Sequence, residues 1–140
     1  MQICDANVLL YAMNSDAPNH DVARGWLDGA LNGDETIGLP WPVLLAFLRL
    51  GTHPAVFPRP LSLASAVDQV RSWLRQPVVT IIEPGPRHLE ILAGLLSEAG
   101  VGGNLVSDAH LAALAIESNG ELVSFDRDFG RFARLRWRHP

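Results

Sequence analysis

Asp5, Asp108, Asp126 and Asp128 are the side chains of this 140-residue sequence best placed for chemistry. Asp5 ends a short apolar stretch, Met1 to Cys4, and Asp126 and Asp128 follow a second one, Glu121 to Phe125. Carboxylates at the ends of parallel strands emerge on the edge of a sheet where open α/β folds bind their ligands. Acid groups within a few ångströms of one another repel and raise each other's pKa unless a cation stands between them. A hard divalent ion, Mg2+ or Mn2+, is the natural counter-charge, because it takes oxygen ligands and keeps several waters. Taken singly, each aspartate has a plainer role: Asp5 or Asp108 caps a helix, and Asp126-Arg127-Asp128 makes a turn. Taken jointly, capping gives no reason for acids at the ends of separate strands. The histidines, His20, His53, His88, His110 and His139, are scattered and offer no competing ligand scheme. On a helix, His110 faces away from Asp108 two residues earlier.

The elements that must position these residues can be read in order. Met1 to Cys4 reads as a strand and Asn7 to Met13 as a short helix. His20 to Leu31 has helical apolar spacing and stops at Asn32-Gly33. Thr36 to Leu39 reads as a strand, and Trp41 to Leu50 as a helix with Pro42 in its first turn. Gly51 to Pro60, with three prolines, is a loop, and Ser62 to Arg75 is a helix. Val78 to Ile82 has the pattern of a strand buried on both faces. His88 to Ala99 is a helix ended by Gly100, and Gly102-Gly103-Asn104 a flexible loop. Ser107 to Ser118 is the next helix, with Ser107 as its N-cap. Glu121 to Phe125 is a strand, Asp128 to Phe132 one helical turn, and Leu135 to Trp137 a last short strand. The alternation predicts one α/β domain over residues 1–140, with a mostly parallel sheet of four to five strands and helices on both faces. Periodicity does not place Asp108 on the acidic edge, because the helix His88 to Ala99 intervenes between the preceding strand and the helix in whose first turn Asp108 sits.

Hydrophobic residues at 48% and charged residues at 19% describe a packed core and exclude disorder. A net charge of −4 argues against holding nucleic acid by overall positive charge. All the basic residues are arginines, and Arg127, Arg131, Arg134, Arg136 and Arg138 make the C-terminal end locally basic, suited to flanking phosphates. The lone Cys4 excludes an internal disulfide and a thiolate zinc site. No apolar stretch is long enough to span a bilayer and no secretory signal opens the chain, so no membrane association and a cytoplasmic location are expected. Trp26, Trp41 and Trp73, on candidate helices, are read as core rather than interface.

At the acidic residues the chain resembles a known family. Asp5-Ala6-Asn7-Val8-Leu9-Leu10-Tyr11-Ala12 is similar to the opening of PIN-domain proteins, especially the VapC toxins of bacterial toxin–antitoxin pairs. Asn104-Leu105-Val106-Ser107-Asp108-Ala109-His110-Leu111-Ala112-Ala113-Leu114-Ala115 resembles their third motif, and Ser124-Phe125-Asp126-Arg127-Asp128-Phe129 their last. The resemblance spans essentially the whole chain. It implies a PIN-like fold and an endoribonuclease dependent on Mg2+ or Mn2+, cutting RNA by metal-activated water to leave 5′-phosphate and 3′-hydroxyl ends. It further implies a homodimer neutralised by a small VapB-type antitoxin. Asp5 and Asp108 would bind metal, Asp126 and Asp128 would bind metal or position water, and Asn7, Asn104 and Ser124 would support them.

One departure stands out. The helix resembling Trp41-Pro42-Val43-Leu44-Leu45-Ala46-Phe47-Leu48-Arg49 normally carries a glutamate where this chain has Ala46. Three accounts are open: deliberate replacement so that a toxic nuclease can be produced, natural impairment, or a site that works with four carboxylates. The first is preferred, because a short apolar side chain beside an otherwise complete acidic set is what truncation leaves. Alanine as a plain helix former is the simpler account. Weak metal binding and little activity are expected. A phosphatase of the haloacid dehalogenase type would need a second aspartate at the position of Asn7, and a lysine that the chain does not contain. A catalytically inactive PIN-fold module that binds RNA or a partner is the remaining alternative.

Overall fold

The computed structural model describes residues 1–100, 102–103 and 105–140. Five strands, β1 (Gln2–Cys4), β2 (Ile37–Pro40), β3 (Val79–Ile82), β4 (Glu121–Val123) and β5 (Trp137–Arg138), form one sheet in the order β3-β2-β1-β4-β5. Every pairing is parallel, with Ile3 opposite Gly38 on one side and Leu122 on the other. The helices are α1 (Ala6–Met13), α2 (His20–Leu31), α3 (Trp41–Gly51), α4 (Leu63–Leu74), α5 (His88–Ala99) and α6 (Leu105–Glu117). A 3-10 turn covers Arg127–Arg131. Right-handed crossovers put the helices that link β1, β2 and β3 over one face, and those that return the chain from β3 to β4 over the other. The packing divides in the same way: α1 lies on α2 and α3, α3 on α4, and α5 on α6.

The strand order reverses between β1 and β4. The first strand sends the chain toward β2, while its other neighbour sends it toward β5, so the connections part and leave a crevice beyond the carboxyl ends of this central pair. Ile3, Cys4, Leu122 and Val123 are fully buried there. On one face Leu44 and Phe47 of α3 fill the core, and on the other Ala109, Ala112, Ala113 and Ala115 of α6 are fully buried. Such small side chains let the α6 backbone come close to β4, which it packs against.

Most boundaries fall within a residue or two of the sequence expectation, and three readings change. The third strand is not buried on both faces: it is an outer strand of the sheet, and Thr80 and Ile81 are exposed. Its β-branched run reflects pleat-fitting residues at an edge. Helix α6 starts at Leu105, so Ser107 lies inside the first turn and does not cap it. The Val106 N–H already bonds the Gly103 carbonyl at 3.1 Å, with Gly103 at φ +67°, a left-handed turn that glycine accommodates readily. Finally, Trp73 is core at 2% exposure, but Trp41 is 44% exposed. As the first residue of α3 it projects past the sheet edge, beyond the core. Among the described residues no helix is long and apolar enough to cross a membrane.

Candidate metal centre

Asp5 leaves β1 as the N-cap of α1, its Oδ1 accepting the Ala6 N–H at 2.6 Å. The capping role is therefore real, yet its other oxygen does something a cap does not need. Oδ2 accepts from the Ser124 hydroxyl at 2.6 Å and from Asn7 Nδ2 at 2.8 Å. Asn7 Nδ2 also donates to Ser124 Oγ at 3.0 Å, and Asn7 Oδ1 accepts the Phe125 N–H at 3.2 Å. The Asp126 N–H donates to Ser124 Oγ at 3.0 Å. Ser124 is fully buried, so the end of β4 is tied to the end of β1 through one carboxylate. Such a network fixes the direction of the Asp5 oxygens before any ligand arrives.

Burial holds the Asp5 carboxyl above its ordinary value; the Ser124 hydroxyl and Ala6 N–H pull it down, and the charge on Asp126 pushes it up again. Burial likewise raises Asp108, followed by the charges of Asp126 and Asp5, with Arg131 opposing and Asp128 adding a smaller rise. Asp108 thus lies in the field of the other three acids, although periodicity left it unplaced. The hairpin of α5 on α6 carries the chain back, so that the first turn of α6 opens onto the edge where β1 and β4 end. Asp126 Oδ1 accepts the Asp128 N–H at 2.8 Å and opens the 3-10 turn, while Arg131 Nε donates to the Asp128 carbonyl at 3.0 Å and its guanidinium lies 3.5 Å from the carboxylate.

Among the described residues no three His, Cys, Asp or Glu side chains close on a common point as a ready cage. The four candidate ligands are all carboxylates, Asp126 and Asp5 raise Asp108 as Asp126 raises Asp5, and among the described residues Asp5 is buried without an ion-pair partner. On these grounds the residues fit a hard divalent ion. Metal-free, a carboxyl whose folded pKa is raised contributes stability below its ordinary value of 3.8 and loses it as pH rises through the folded pKa. Asp5→Asn keeps the cap but removes this loss. In EDTA its unfolding midpoint should therefore fall less between acid and neutral pH than that of the unaltered chain; equal slopes in thermal melts would contradict the assignment.

Ala46, half-buried on α3, lines a cavity of about 130 Å3 together with Asp5, Ser107 and His110. Space is thus present beside Asp5, where the resemblance expects a glutamate. Asn104 lies outside the described residues. Of the C-terminal arginines, Arg131 reaches the acidic edge, but Arg136 bonds the Asn119 carbonyl and Arg138 pairs with Glu121 at 3.0 Å. Both guanidinium groups are held toward the amino end of β4, although the Arg138 backbone pairs with Val123 at its carboxyl end, and a role for them on phosphates flanking this site is not supported.

Sequence reasoning missed one group entirely. The histidines are not all scattered: His88 Nε2 and His110 Nδ1 are hydrogen-bonded at 2.9 Å, and Glu117 Oε2 stands 3.6 Å from His88 Nδ1. Antiparallel packing of α5 on α6 brings them together, and no local signal marks it. Glu117 is held below its ordinary value, chiefly by the Gly85 N–H and then the Arg87 N–H, against a rise from burial.

The PIN domain model matches residues 3–135 of this chain. Ribonuclease VapC37 of Mycobacterium tuberculosis is 51% identical over 140 residues, covering all of this chain and 97% of the relative. Ribonuclease VapC33 of the same organism is 45% identical, covering all of this chain and 98% of that protein. Among solved structures, the Rickettsia felis VapBC2 complex, bound to a DNA fragment from its promoter, aligns over 99% of this chain and 97% of the matched chain, with a TM-score of 0.71 at 22% identity. M. tuberculosis VapC20, described as a toxin that cleaves the sarcin–ricin loop, aligns with a TM-score of 0.69 at 16% identity, covering 97% of this chain and 99% of that one. Matched along its whole length by close relatives and by the family model, this chain belongs to the PIN-domain family, in its VapC branch.

Proposed function

We propose that the chain is a ribonuclease toxin that depends on Mg2+ or Mn2+, cleaves RNA internally by water attack on a phosphodiester, and is neutralised by a VapB-type antitoxin. The observation that supports this reading is that Asp5, Asp126 and the first turn of α6, with Asp108, stand at the edge where the strand order reverses, Asp5 and Asp126 tied there through Ser124 and Asp108 raised by the charges of Asp126 and Asp5. The names of the relatives support RNA cleavage, and the VapBC complex among the structural neighbours supports the antitoxin partner. When bound, the divalent ion supplies Lewis acidity and a more acidic water. Asp5 provides the fixed carboxylate, oriented by Ser124 and Asn7. Asp108 provides the opposing acid from α6, and Asp126 and Asp128 orient water at the rim. Arg131, beside Asp128, offers a guanidinium to a flanking phosphate.

Ala46 leaves this set short of a carboxylate, which supports impaired activity in the present form. A PIN-fold module that only binds RNA or a partner is the second reading, favoured by that same residue. Manganese titration separates them at the level of the ion. Added Mn2+ should raise the unfolding midpoint of the unaltered chain, and Asp5→Asn and Asp108→Asn should each remove most of that rise. No rise, or a rise unaffected by either substitution, argues against an ion at this edge.

A further inference from the structure

Two cavities adjoin at Pro42 and His110. The inner one, about 130 Å3, touches Asp5 and Ala46. The outer one, about 350 Å3, runs past Trp41, Ile82 and Pro84 to Glu83. Together they make a groove that leaves the acidic edge along the carboxyl ends of β2 and β3. Its wall carries an indole that is 44% exposed at the first turn of α3, between Pro40 and Pro42. Both prolines fix their own φ, so the indole is presented from a stiff backbone. An exposed, rigid aromatic face beside a nuclease centre is a platform for an unpaired base, since every base has a π-face to stack.

His110 is the polar side chain common to both cavities, and its hydrogen-bond direction is set from behind. Glu117 is anchored by the Gly85 and Arg87 N–H groups at 2.9 and 3.0 Å and faces His88 Nδ1 at 3.6 Å. His88 Nδ1 is buried and makes no hydrogen bond among the described residues, and the carboxylate facing it beyond bonding distance favours the proton there, because a bare nitrogen would oppose lone pair to negative charge. His88 Nε2 then accepts, and His110 Nδ1 donates across the 2.9 Å bond. The other nitrogen of His110, Nε2, has no partner among the described residues and is left as an acceptor. A donor carried by every ribonucleotide and by no deoxyribonucleotide is the ribose 2′-hydroxyl. Glu83, exposed at the outer rim, disfavours phosphate at that end and keeps the strand's backbone toward the inner one.

We propose that this groove is a subsite for one nucleotide flanking the cut, its base on Trp41 and its 2′-hydroxyl donating to His110 Nε2. The inference rests on the nuclease reading above, but its test reads binding. A short fluorescent single-stranded RNA and the DNA of the same sequence are titrated against the unaltered chain at fixed salt. RNA should bind about 2- to 10-fold more tightly than DNA, the range of one added hydrogen bond. Trp41→Ala should weaken both strands by roughly 5-fold or more, and Trp41→Phe should recover most of the loss. His110→Gln should erase the preference for RNA while leaving DNA affinity unchanged. Should that variant misfold, nitrogen NMR of the imidazoles in the unaltered chain replaces it: His110 should carry its proton on Nδ1, and RNA but not DNA should move the Nε2 resonance. Equal affinity for the two strands, binding of neither, or full binding by Trp41→Ala overturns the proposal. So does a Trp41→Ala chain that keeps RNA and loses only a co-expressed antitoxin, which would assign the groove to the protein partner. Cleavage reports on the parent reading separately: RNA binding as described without metal-dependent cleavage by Ala46→Glu sinks the nuclease and leaves the groove.

Discussion

Ala46→Glu should raise metal-dependent RNA cleavage by about 100-fold or more, equivalent to ~2.7 kcal/mol of transition-state stabilisation. The physical basis is local. The backbone of α3 is held by Leu44 and Phe47, both fully buried, so position 46 keeps its direction whatever side chain it bears. That direction is the cavity beside Asp5, whose volume of about 130 Å3 leaves room for a carboxyethyl group. A glutamate there adds an oxygen donor beside Asp5 and deepens the negative field in which a divalent ion would be held. The same charge is unfavourable without the ion, because it joins acids that already raise one another. The variant should therefore be less stable than the unaltered chain in EDTA and gain more stability on adding Mg2+ or Mn2+. Two readouts check the expectation: cleavage of total RNA with and without chelator, and unfolding midpoints with and without metal. Robust cleavage that survives EDTA would remove the ion from the mechanism. A silent variant with an unchanged metal response would favour the binding module.

Phe47→Ala should lower the unfolding free energy by about 3–5 kcal/mol, the range for losing a buried aromatic and leaving a cavity behind. Phe47 is fully buried and meets the Trp73 ring edge-on at a centroid distance of 4.8 Å, joining α3 to α4. Val43 and Leu44 are buried on the same face of α3. Chemical denaturation measures the effect directly: the midpoint should fall while the slope against denaturant is retained. The consequence reaches the site, because α3 carries both Ala46 and Trp41, and the double variant Phe47→Ala, Ala46→Glu should bind metal more weakly than Ala46→Glu alone. A loss below about 1 kcal/mol would show that this face of α3 is not a core face.

Much of the architecture was legible because it follows from local rules. Apolar periodicity marks α2 and α4, Gly100 closes α5 in the left-handed conformation at φ +69°, and Ser62 caps α4. Asp5 at the end of one strand and Asp126 just beyond another were readable as acids on one edge, since parallel strands share a direction. Where the reading failed, the deciding quantity was neighbourhood. The β-branched run of β3 carries no mark of lying at the sheet's edge, and Trp41 looks as apolar on paper as Trp73.

The site divides along the same line. The chain by itself determined which oxygens are available, that no lysine or paired cysteine competes with them, and that a helix former, Ala46, occupies a turn of α3 where a carboxylate would have been expected. Only the tertiary structure decided that Asp108 enters the field of Asp5, that Ala46 faces a cavity beside it, and that His88, His110 and Glu117 meet. The reason is that hydrogen-bonded periodicity acts over a few residues, whereas the pairing of α5 with α6 and the reversal of strand order act between segments far apart in sequence. Their geometry is set by how whole faces pack.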